Sequence, residues 1–287
     1  MRLRPGRGAL IDIGGRRLRA VVAGPRSPHP TVVLECGAFG CAADWAVVQE
    51  RLAARGFRSI AYDRAGLGYS DPGPKPRDGR AVAADLEALL AALGETGPFV
   101  LAVHSMGGLF ARVFVARNQE RILGVVLVDA VTPELTDVRA GAAAVKGYRA
   151  AMRVVQAWAG LGFMRPVSLV IGDLIGLEGE ASAEKREVYG SAGHTRWAAE
   201  EVQAWLHTAA QGRDAGPFDP ELPVAVVTAG EEHTARRLKA VQCAPAHGSR
   251  HGYVRHVRGA NHASLLGKRF ADPIIDGISH ILAAPAH

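Results

Sequence analysis

Residues 99–115, FVLAVHSMGGLFARVFV, contain the transition that decides the fold. The apolar run at 99–103 has the length and composition of a buried β-strand. It stops at the sequence HSMGG, and apolar side chains such as Leu109 and Val113 then recur at helical spacing. The stretch therefore predicts a strand that turns sharply into a helix, with Ser105 at the corner.

A serine at such a corner has the layout of a nucleophile elbow. The turn pushes the Ser105 oxygen away from the backbone and leaves the next amide, that of Met106, at a helix N-terminus, where it can stabilise negative charge. Gly107 fits this turn because a side chain there would meet the neighbouring strand. The G-x-S-x-G pattern has its first glycine where this chain has Val103. Ser105 is thus a candidate nucleophile on an elbow altered at one position.

Strands and helices alternate around this stretch. Apolar runs at 31–36, 57–62 and 122–128 predict buried strands, and amphipathic helices lie between them. Asp44 is the predicted N-cap of the first helix. Strands that are apolar throughout are typical of parallel sheets covered on both faces. We therefore predict an α/β fold, a mostly parallel sheet with helices on both faces. An N-terminal hairpin is predicted within residues 8–23.

The alternation breaks after Asp129. Helical segments without a convincing strand follow until about residue 222, although 167–175 is ambiguous between helix and strand. A strand at 223–229 and a last helix at 271–282 then restore the pattern. We therefore predict a first part of the α/β core at 1–131, a helical lid at 132–219 and a second part of the core at 220–287. A lid beside a site would exclude water and shape a pocket.

Composition narrows the class of protein. The chain has 287 residues and a net charge of +6, but its basic residues are scattered among acidic ones, which argues against nucleic-acid binding. It has no apolar run long enough to predict a membrane span and no apolar leader at the N-terminus. The three cysteines have no metal-ligand spacing and predict free thiols. We expect a cytoplasmic protein without a metal or other cofactor; its oligomeric state is not predicted.

Ligands of open parallel sheets bind at the carboxyl ends of the strands. His262 follows the last predicted strand, and it comes after the serine and the acidic candidates in the chain, as the Ser…acid…His order requires. A serine hydroxyl needs such a base to accept its proton, and the base needs a third group to hold it. Reactive residues at predicted strand ends are 36–39, Asp63, Ser105, Asp129, Glu231, Glu232 and His262.

Four motifs resemble those of the α/β-hydrolase family, in particular its lidded serine esterase and lipase-like members. They are the loop CGAFG at 36–40 in the place of His-Gly-x-x-Gly, YDRAGLGYS at 62–70, HSMGG at 104–108 and Gly-x-x-His at 259–262. The resemblance covers nearly the whole chain. It implies that Ser105 is the nucleophile and His262 the base, and that the backbone N–H groups of Ala38 and Met106 form an oxyanion hole. Cys36 replaces a histidine that is structural in the family.

The resemblance leaves two positions for the acid of the triad. The family's usual position, after the strand at 223–229, holds His233, and Glu231 and Glu232 precede it. Some members instead carry the acid at the end of the strand that follows the nucleophile helix, which is Asp129 here. That strand should neighbour the elbow strand, so we favour Asp129 over Glu232.

These residues predict a cofactor-free serine hydrolase, of carboxylesterase type, that cleaves carboxylic esters, lactones or thioesters through an acyl-enzyme. The apolar lid favours a small, hydrophobic acyl substrate. A carbon–carbon bond hydrolase or an acyltransferase on the same triad is an alternative, and so is a non-catalytic binding or sensor protein of the same fold. The serine argues against epoxide hydrolase and haloalkane dehalogenase activity, since both need a carboxylate nucleophile at 105.

Overall fold

A computed structural model describes residues 6–160, 174–233 and 235–284 and places eight strands in one sheet. In chain order the strands are β1 (Ala9–Asp12), β2 (Arg17–Ala23), β3 (Thr31–Glu35), β4 (Ser59–Tyr62), β5 (Phe99–His104), β6 (Ile122–Val128), β7 (Val224–Ala229) and β8 (Gly252–Val257). Across the sheet the order is β1-β2-β4-β3-β5-β6-β7-β8. The pairs β1–β2 and β2–β4 are antiparallel, and the others are parallel.

Helices cover both faces of the sheet. They are α1 (Ala46–Ala54), α2 (Gly79–Ala92), α3 (Gly107–Arg117), α4 (Arg139–Gly160), α5 (Gly179–Tyr189), α6 (Ala192–Gln203), α7 (Trp205–Asp214), α8 (Arg236–Gly248) and α9 (Asp272–Ala283). Residues of α1 and α9 pack in one hydrophobic cluster, and residues of α2, α3 and α8 pack in a second cluster on the opposite face. The predicted fold, a mostly parallel sheet between two helical layers, is confirmed.

Alternate residues of each central strand enter different clusters. Val100 and Ala102 of β5 belong to the cluster with α1 and α9, whereas Leu101 and Val103 belong to the cluster with α2 and α3. Successive side chains of a strand point to opposite faces, so a strand covered on both sides has to be apolar throughout. This explains why the central strands read as continuous apolar runs.

The stretch between β6 and β7, residues 129–223, is here called the helical segment. It contains α4 to α7 and no strand among its described residues. A third hydrophobic cluster joins Val145, Met152 and Val202 of this segment to Met106 and Phe110 beside the elbow. The helical segment therefore packs over the end of the sheet where β5 stops. The boundaries 132–219 of a lid stay a prediction.

Three local predictions have different outcomes: one is wrong, one lies mostly outside the described residues, and one agrees with the structure. Asp44 is not an N-cap: it lies inside a 3₁₀ turn (Ala42–Trp45) that precedes α1, and its side chain makes an ion pair with Lys185 of α5 instead. A partner from a distant helix thus replaces the local hydrogen bond that the sequence suggested. The ambiguous stretch 167–175 lies mostly outside the described residues. The three cysteines are buried free thiols, as predicted.

None of the helices within 6–160, 174–233 and 235–284 combines the length and the hydropathy that a membrane crossing requires.

Arg64, which follows β4, connects the sheet to the helical segment. It is 1% exposed, and its guanidinium donates to both carboxylate oxygens of Glu201 in α6, at 2.9 and 2.8 Å. It also donates to Glu35 Oε1 at 2.5 Å and to the carbonyl oxygens of Cys36 and Gly37, each at 2.8 Å. All five N–H groups of the side chain therefore have an acceptor.

Replacing Arg64 with methionine should lower the free energy of unfolding by about 3–5 kcal/mol, because Glu35 and Glu201 would stay buried without their cation. Urea unfolding followed by circular dichroism measures this. Arg117→Met is the matched control, since Arg117 makes a two-pronged but exposed pair with Glu87 and should change stability by about 1 kcal/mol or less. Equal losses in the two variants would contradict the role assigned to Arg64.

His194 of α6 also bridges the helical segment and the loops of the sheet. Its Nδ1 accepts a hydrogen bond from the N–H of Gly68 at 3.1 Å, and its Nε2 lies 3.3 Å from the carbonyl oxygen of Phe39, to which it donates. Burial lowers the pKa of His194 from 6.5 to about 3, since a charged ring would lose its hydration. The folded protein therefore holds this ring neutral across the physiological range.

The lowered pKa of His194 makes stability depend on pH. Below pH 6.5 the unfolded chain binds a proton here that the folded protein does not, so the contribution present above pH 6.5 is lost as the pH falls toward 3. In His194→Gln this loss is absent. We expect the stability advantage of the wild type over His194→Gln to shrink by about 2 kcal/mol between pH 7 and pH 5, measured by urea unfolding at each pH. A difference independent of pH would contradict a buried neutral imidazole.

Candidate active site

The turn after β5 has the geometry of an elbow. Ser105 has a φ of +55°, in the left-handed region that residues with a Cβ rarely adopt. Three backbone hydrogen bonds hold it there. Its N–H donates to Val128 O at 3.2 Å, and its carbonyl accepts from the N–H groups of Gly108 at 3.1 Å and Val131 at 2.8 Å. The fold thus imposes a conformation that the serine alone would avoid, and this conformation turns its side chain out of the sheet.

Glycines allow three backbone segments to meet around Ser105. A methyl group on Gly37 would lie 2.8 Å from Cβ of Ser105, and one on Gly108 would lie 2.3 Å from the carbonyl oxygen of Val131. On Gly107 it would lie 3.0 Å from the carbonyl oxygen of Cys36, which belongs to the next segment along the sheet. These close approaches explain why the sequence has glycine at positions 37, 107 and 108.

Val103 does not prevent the turn. Its side chain is fully buried in the cluster under α2 and α3, on the face of the sheet away from α1. The backbone at Ser105 reaches its left-handed conformation with this valine in place. The departure from the G-x-S-x-G pattern is therefore accommodated by the core.

The predicted base lies beside one of the two predicted acids. His262 Nδ1 is 2.6 Å from Asp129 Oδ2, and Asp129 Oδ1 accepts longer hydrogen bonds from Ala229 N at 3.3 Å and Gln242 Nε2 at 3.4 Å. Burial alone would raise the pKa of Asp129, but its hydrogen bond and charge interaction with His262 outweigh burial and lower that pKa below 3.8. The carboxylate is therefore ionised at neutral pH and can orient the imidazole.

The alternative acids have other surroundings. Glu231 pairs with Arg258 at 2.9 Å and with His233 at 3.3 Å, and Glu232 is exposed. Neither glutamate makes a described contact with His262. The structure thus brings Asp129, rather than Glu231 or Glu232, to the imidazole.

Ser105 and His262 line the same cavity, which has a volume of about 370 Å³. Their side chains make no hydrogen bond with each other among the described contacts, and the His262 side chain is 52% exposed. In enzymes without a bound substrate, catalytic hydrogen bonds are often long and tighten only when the substrate binds. The two side chains share a site, but the structure does not record the contact that proton transfer requires.

His104, next to Ser105, supports the loop that carries His262. Its Nε2 is 3.0 Å from the carbonyl oxygen of His262, and the two rings lie 4.5 Å apart between centroids. A carbonyl oxygen only accepts, so Nε2 of His104 must hold the proton. Burial, followed by repulsion from His262, lowers the pKa of His104 to about 3. His104 is thus a neutral structural group rather than a second base.

The predicted oxyanion donors lie in two segments, Ala38 in the loop after β3 and Met106 directly after Ser105. The backbone N–H groups of Ala38 and Met106 donate none of the described hydrogen bonds, and Ala38 lines the cavity together with Ser105. The hydrogen bonds of Arg64 to the carbonyl groups of Cys36 and Gly37 fix the start of the loop after β3. An oxyanion hole made of these two amides stays a prediction.

Backbone strain is concentrated at this site. Of the four non-glycine residues with positive φ in the described chain, three belong here: Phe39 in the loop after β3, Ser105, and Asp129. Each such conformation costs about 1–2 kcal/mol, so it persists only where the surroundings enforce it. Within the described residues, no group of three or more His, Cys, Asp or Glu side chains could hold a metal ion.

The sequence did not reveal three polar groups of the cavity wall. Lys185 and Tyr189 of α5 and Asp44 before α1 line the cavity, together with apolar residues such as Val145 and Trp205. Lys185 and Tyr189 lie in a largely polar helix remote from every motif, so no sequence signal singled them out. The resemblance gave Arg64 only a place in its glycine-rich loop, whereas the structure shows its contacts to the carbonyl groups of Cys36 and Gly37.

The chain matches known proteins in sequence and in structure. The family model described as alpha/beta hydrolase fold matches residues 30–154. An "AB hydrolase superfamily protein" of Gibberella zeae is 36% identical over 105 residues, which are 35% of this chain and 32% of that protein. In seven curated relatives the alignment covers between 12% and 40% of the relative. The chain thus matches less than half the length of each.

Solved structures resemble the chain over nearly its full length. An epoxide hydrolase, CorEH, has a TM-score of 0.72 at 19% identity, with 96% of this chain and 97% of that chain covered. A thermophilic esterase from Thermogutta terrifontis has a TM-score of 0.65 at 21% identity, with 93% and 94% covered. At these identities the likeness concerns the fold. Taken with the family match over residues 30–154, it shows that the chain has the α/β-hydrolase fold.

Proposed function

We propose that this protein is a serine hydrolase that cleaves carboxylic esters, lactones or thioesters through an acyl-enzyme. The observation that carries the proposal is the 2.6 Å hydrogen bond between His262 Nδ1 and Asp129 Oδ2, in a cavity that Ser105 also lines. This bond leaves Nε2 of His262 unprotonated and able to accept the serine proton. Serine, imidazole and carboxylate then have the three roles that nucleophilic acyl transfer requires.

In the proposed reaction, Ser105 Oγ attacks the acyl carbon while His262 Nε2 takes the hydroxyl proton. The carbonyl oxygen becomes an oxyanion, which the N–H groups of Ala38 and Met106 stabilise, each by about 3 kcal/mol. His262 then gives its proton to the leaving alcohol, and the acyl group stays on Ser105. A water molecule, deprotonated by His262, attacks the acyl-enzyme; His262 then returns this proton to Ser105 Oγ as the acyl–oxygen bond breaks and the acid leaves. Asp129 stabilises the imidazolium in both halves. No cofactor enters this cycle.

We also propose that the helical segment acts as a lid. Leu135, Val145 and Trp205 of this segment line the cavity that contains Ser105. An apolar cover of this kind would exclude water and favour small substrates with a hydrophobic part. A carbon–carbon bond hydrolase or an acyltransferase would use the same three residues. The bond that is cleaved and the molecule that accepts the acyl group would distinguish these activities from ester hydrolysis. A cytoplasmic location is part of the same proposal.

The choice of ester cleavage over epoxide opening rests on residue 105. Epoxide hydrolases of this fold attack with a carboxylate, whereas the elbow here holds a serine. The structural likeness to an epoxide hydrolase therefore does not extend to its chemistry.

A non-catalytic binding protein is the remaining alternative. Labelling by a fluorophosphonate separates such a protein from an enzyme, because only an activated serine reacts.

Substitutions at the three residues should have graded effects on hydrolysis of p-nitrophenyl acetate and butyrate. Ser105→Ala should lower the rate by about 10⁴-fold or more and abolish fluorophosphonate labelling, because the nucleophile is removed. Asp129→Asn should lower kcat by about 10³- to 10⁴-fold, since an amide favours the wrong tautomer of His262. Glu232→Gln, a matched change at the exposed alternative, should leave kcat within about twofold of the wild type.

Two results would contradict the proposal. Equal rates and equal labelling in the wild type and Ser105→Ala would remove Ser105 from the mechanism. A loss in Glu232→Gln as large as that in Asp129→Asn would move the acid to the other candidate position.

A further inference from the structure

A buried ion pair forms one wall of the cavity. Lys185 of α5 and Asp44 before α1 both line it, their side chains are 4% and 7% exposed, and the ammonium hydrogen-bonds to Asp44 Oδ1. The proposed acyl transfer uses neither residue. Taking two charges out of water costs several kcal/mol per ion, and their attraction offsets this only with good geometry. A polar pair facing an otherwise apolar cavity therefore calls for an explanation.

The need to hold the helical segment against the sheet does not by itself explain the Lys185–Asp44 pair. Arg64–Glu201 and Arg19–Glu184 also join the helical segment to the sheet, at 2.8 and 2.6 Å, but none of these four residues is among those that line the cavity. Arg64 also has an acceptor for every N–H. The Lys185 pair differs from them because it faces the space in which a substrate would lie.

The ammonium group of Lys185 has more hydrogen-bond donors than its described acceptors use. It has three N–H groups. The described hydrogen bonds supply one acceptor, Asp44 Oδ1, and the Tyr189 side chain adds an electrostatic interaction, with its ring centre 4.7 Å from Nζ. With the Tyr189 hydroxyl as a second acceptor, one N–H of Lys185 has no acceptor among the described residues and can reach a group in the cavity. Asp44 also holds the ammonium in place, so binding a ligand would cost little additional ordering.

The ammonium stays charged and close to the reacting groups. Burial alone would lower the pKa of Lys185, but the Asp44 carboxylate outweighs it and raises this pKa above its usual value. The positive charge of Lys185 in turn helps to lower the pKa of His104, the neighbour of Ser105. Tyr189 and His194, which also pack near Lys185, are neutral, since burial raises the pKa of the phenol and lowers that of the imidazole. No second cation therefore competes with Lys185 among these neighbours.

We propose that Lys185 binds a carboxylate of the substrate, so that the preferred substrates are esters or lactones that carry a carboxylate beside the scissile bond. This inference rests on the proposed function and names its substrate class. A charge-assisted hydrogen bond to a carboxylate is about twice as strong as one to a neutral acceptor, and the cavity walls strengthen it by excluding water. The net charge of +6 favours the approach of an anion. The apolar wall with Val145 and Trp205 would hold the rest of the substrate.

Two matched pairs of esters test the proposal. p-Nitrophenyl hemiglutarate and p-nitrophenyl pentanoate differ by a carboxylate on the acyl side, and 3-acetoxybenzoate and 3-acetoxybenzamide differ by one on the leaving group. We expect the wild type to prefer the anionic member in at least one pair, by about tenfold in kcat/KM after subtraction of the spontaneous rate. Lys185→Met should lower that preference at least tenfold.

A variant with the opposite expected effect protects the test against misfolding. Asp44→Asn keeps the ammonium and removes its internal anion, so the preference for the anionic ester should rise by about threefold. If Lys185→Met fails to fold, as shown by loss of its circular dichroism signal, the direction of change in Asp44→Asn decides. Lys75→Met is the matched control, because Lys75 is an exposed lysine that pairs with Glu200 outside the cavity. It removes the same charge and should leave the preference unchanged.

The outcomes separate this inference from the proposed function. Neutral esters hydrolysed in a Ser105-dependent way, with no preference in either pair that depends on Lys185 or Asp44, would overturn the carboxylate site and leave the serine hydrolase intact. Equal hydrolysis by the wild type and Ser105→Ala for all four esters would overturn the proposed function itself.

Discussion

The guanidinium of Arg64 is the contact on which the rest of the site depends. Its five N–H groups reach the side chain of Glu35, the carbonyl groups of Cys36 and Gly37, and the carboxylate of Glu201. One fully hydrogen-bonded cation thus fixes three parts of the molecule relative to one another: the end of β3, the loop with the free amide of Ala38, and helix α6 of the helical segment. Arginine suits this task because its planar group offers several donors in fixed directions. The cavity lies between parts that this cation holds together.

Strand register explains why Asp129 rather than a glutamate reaches His262. Strands β5 and β6 are parallel neighbours, and His104 is opposite Val128. The next residues of the two strands, Ser105 and Asp129, therefore leave the sheet side by side, and both have positive φ. Strand β7 lies one strand farther from β5, so the residues after it begin at a greater distance from the elbow. Two strained residues on adjacent strands thus leave Ser105 and Asp129 at the same edge of the sheet, within reach of one imidazole in the proposed mechanism.

The sequence predicted the features that depend on local pattern. Apolar periodicity predicted the strands and the elbow, positions at strand ends and chain order indicated Ser105 and His262, and the family resemblance favoured Asp129 over Glu232 as the acid. Features that depend on distant partners were not predictable in this way. Asp44 resembles a helix cap in sequence, and only the position of α5 turns it toward Lys185. A buried ion pair between segments about 140 residues apart leaves no periodic signal, because each partner alone looks like an ordinary surface residue.

In the proposal, two pairs of side chains divide the work between reaction and selection. Asp129 stays ionised while the charge of His262 appears and disappears as protons move. Lys185 and Asp44 form a buried pair whose charges are permanent. Catalysis benefits only from interactions that strengthen in the transition state, whereas a fixed ammonium binds substrate and transition state alike. Lys185 would therefore set which esters enter and how they lie, and the rate of the acyl transfer would be left to the elbow, the imidazole and the two free amides.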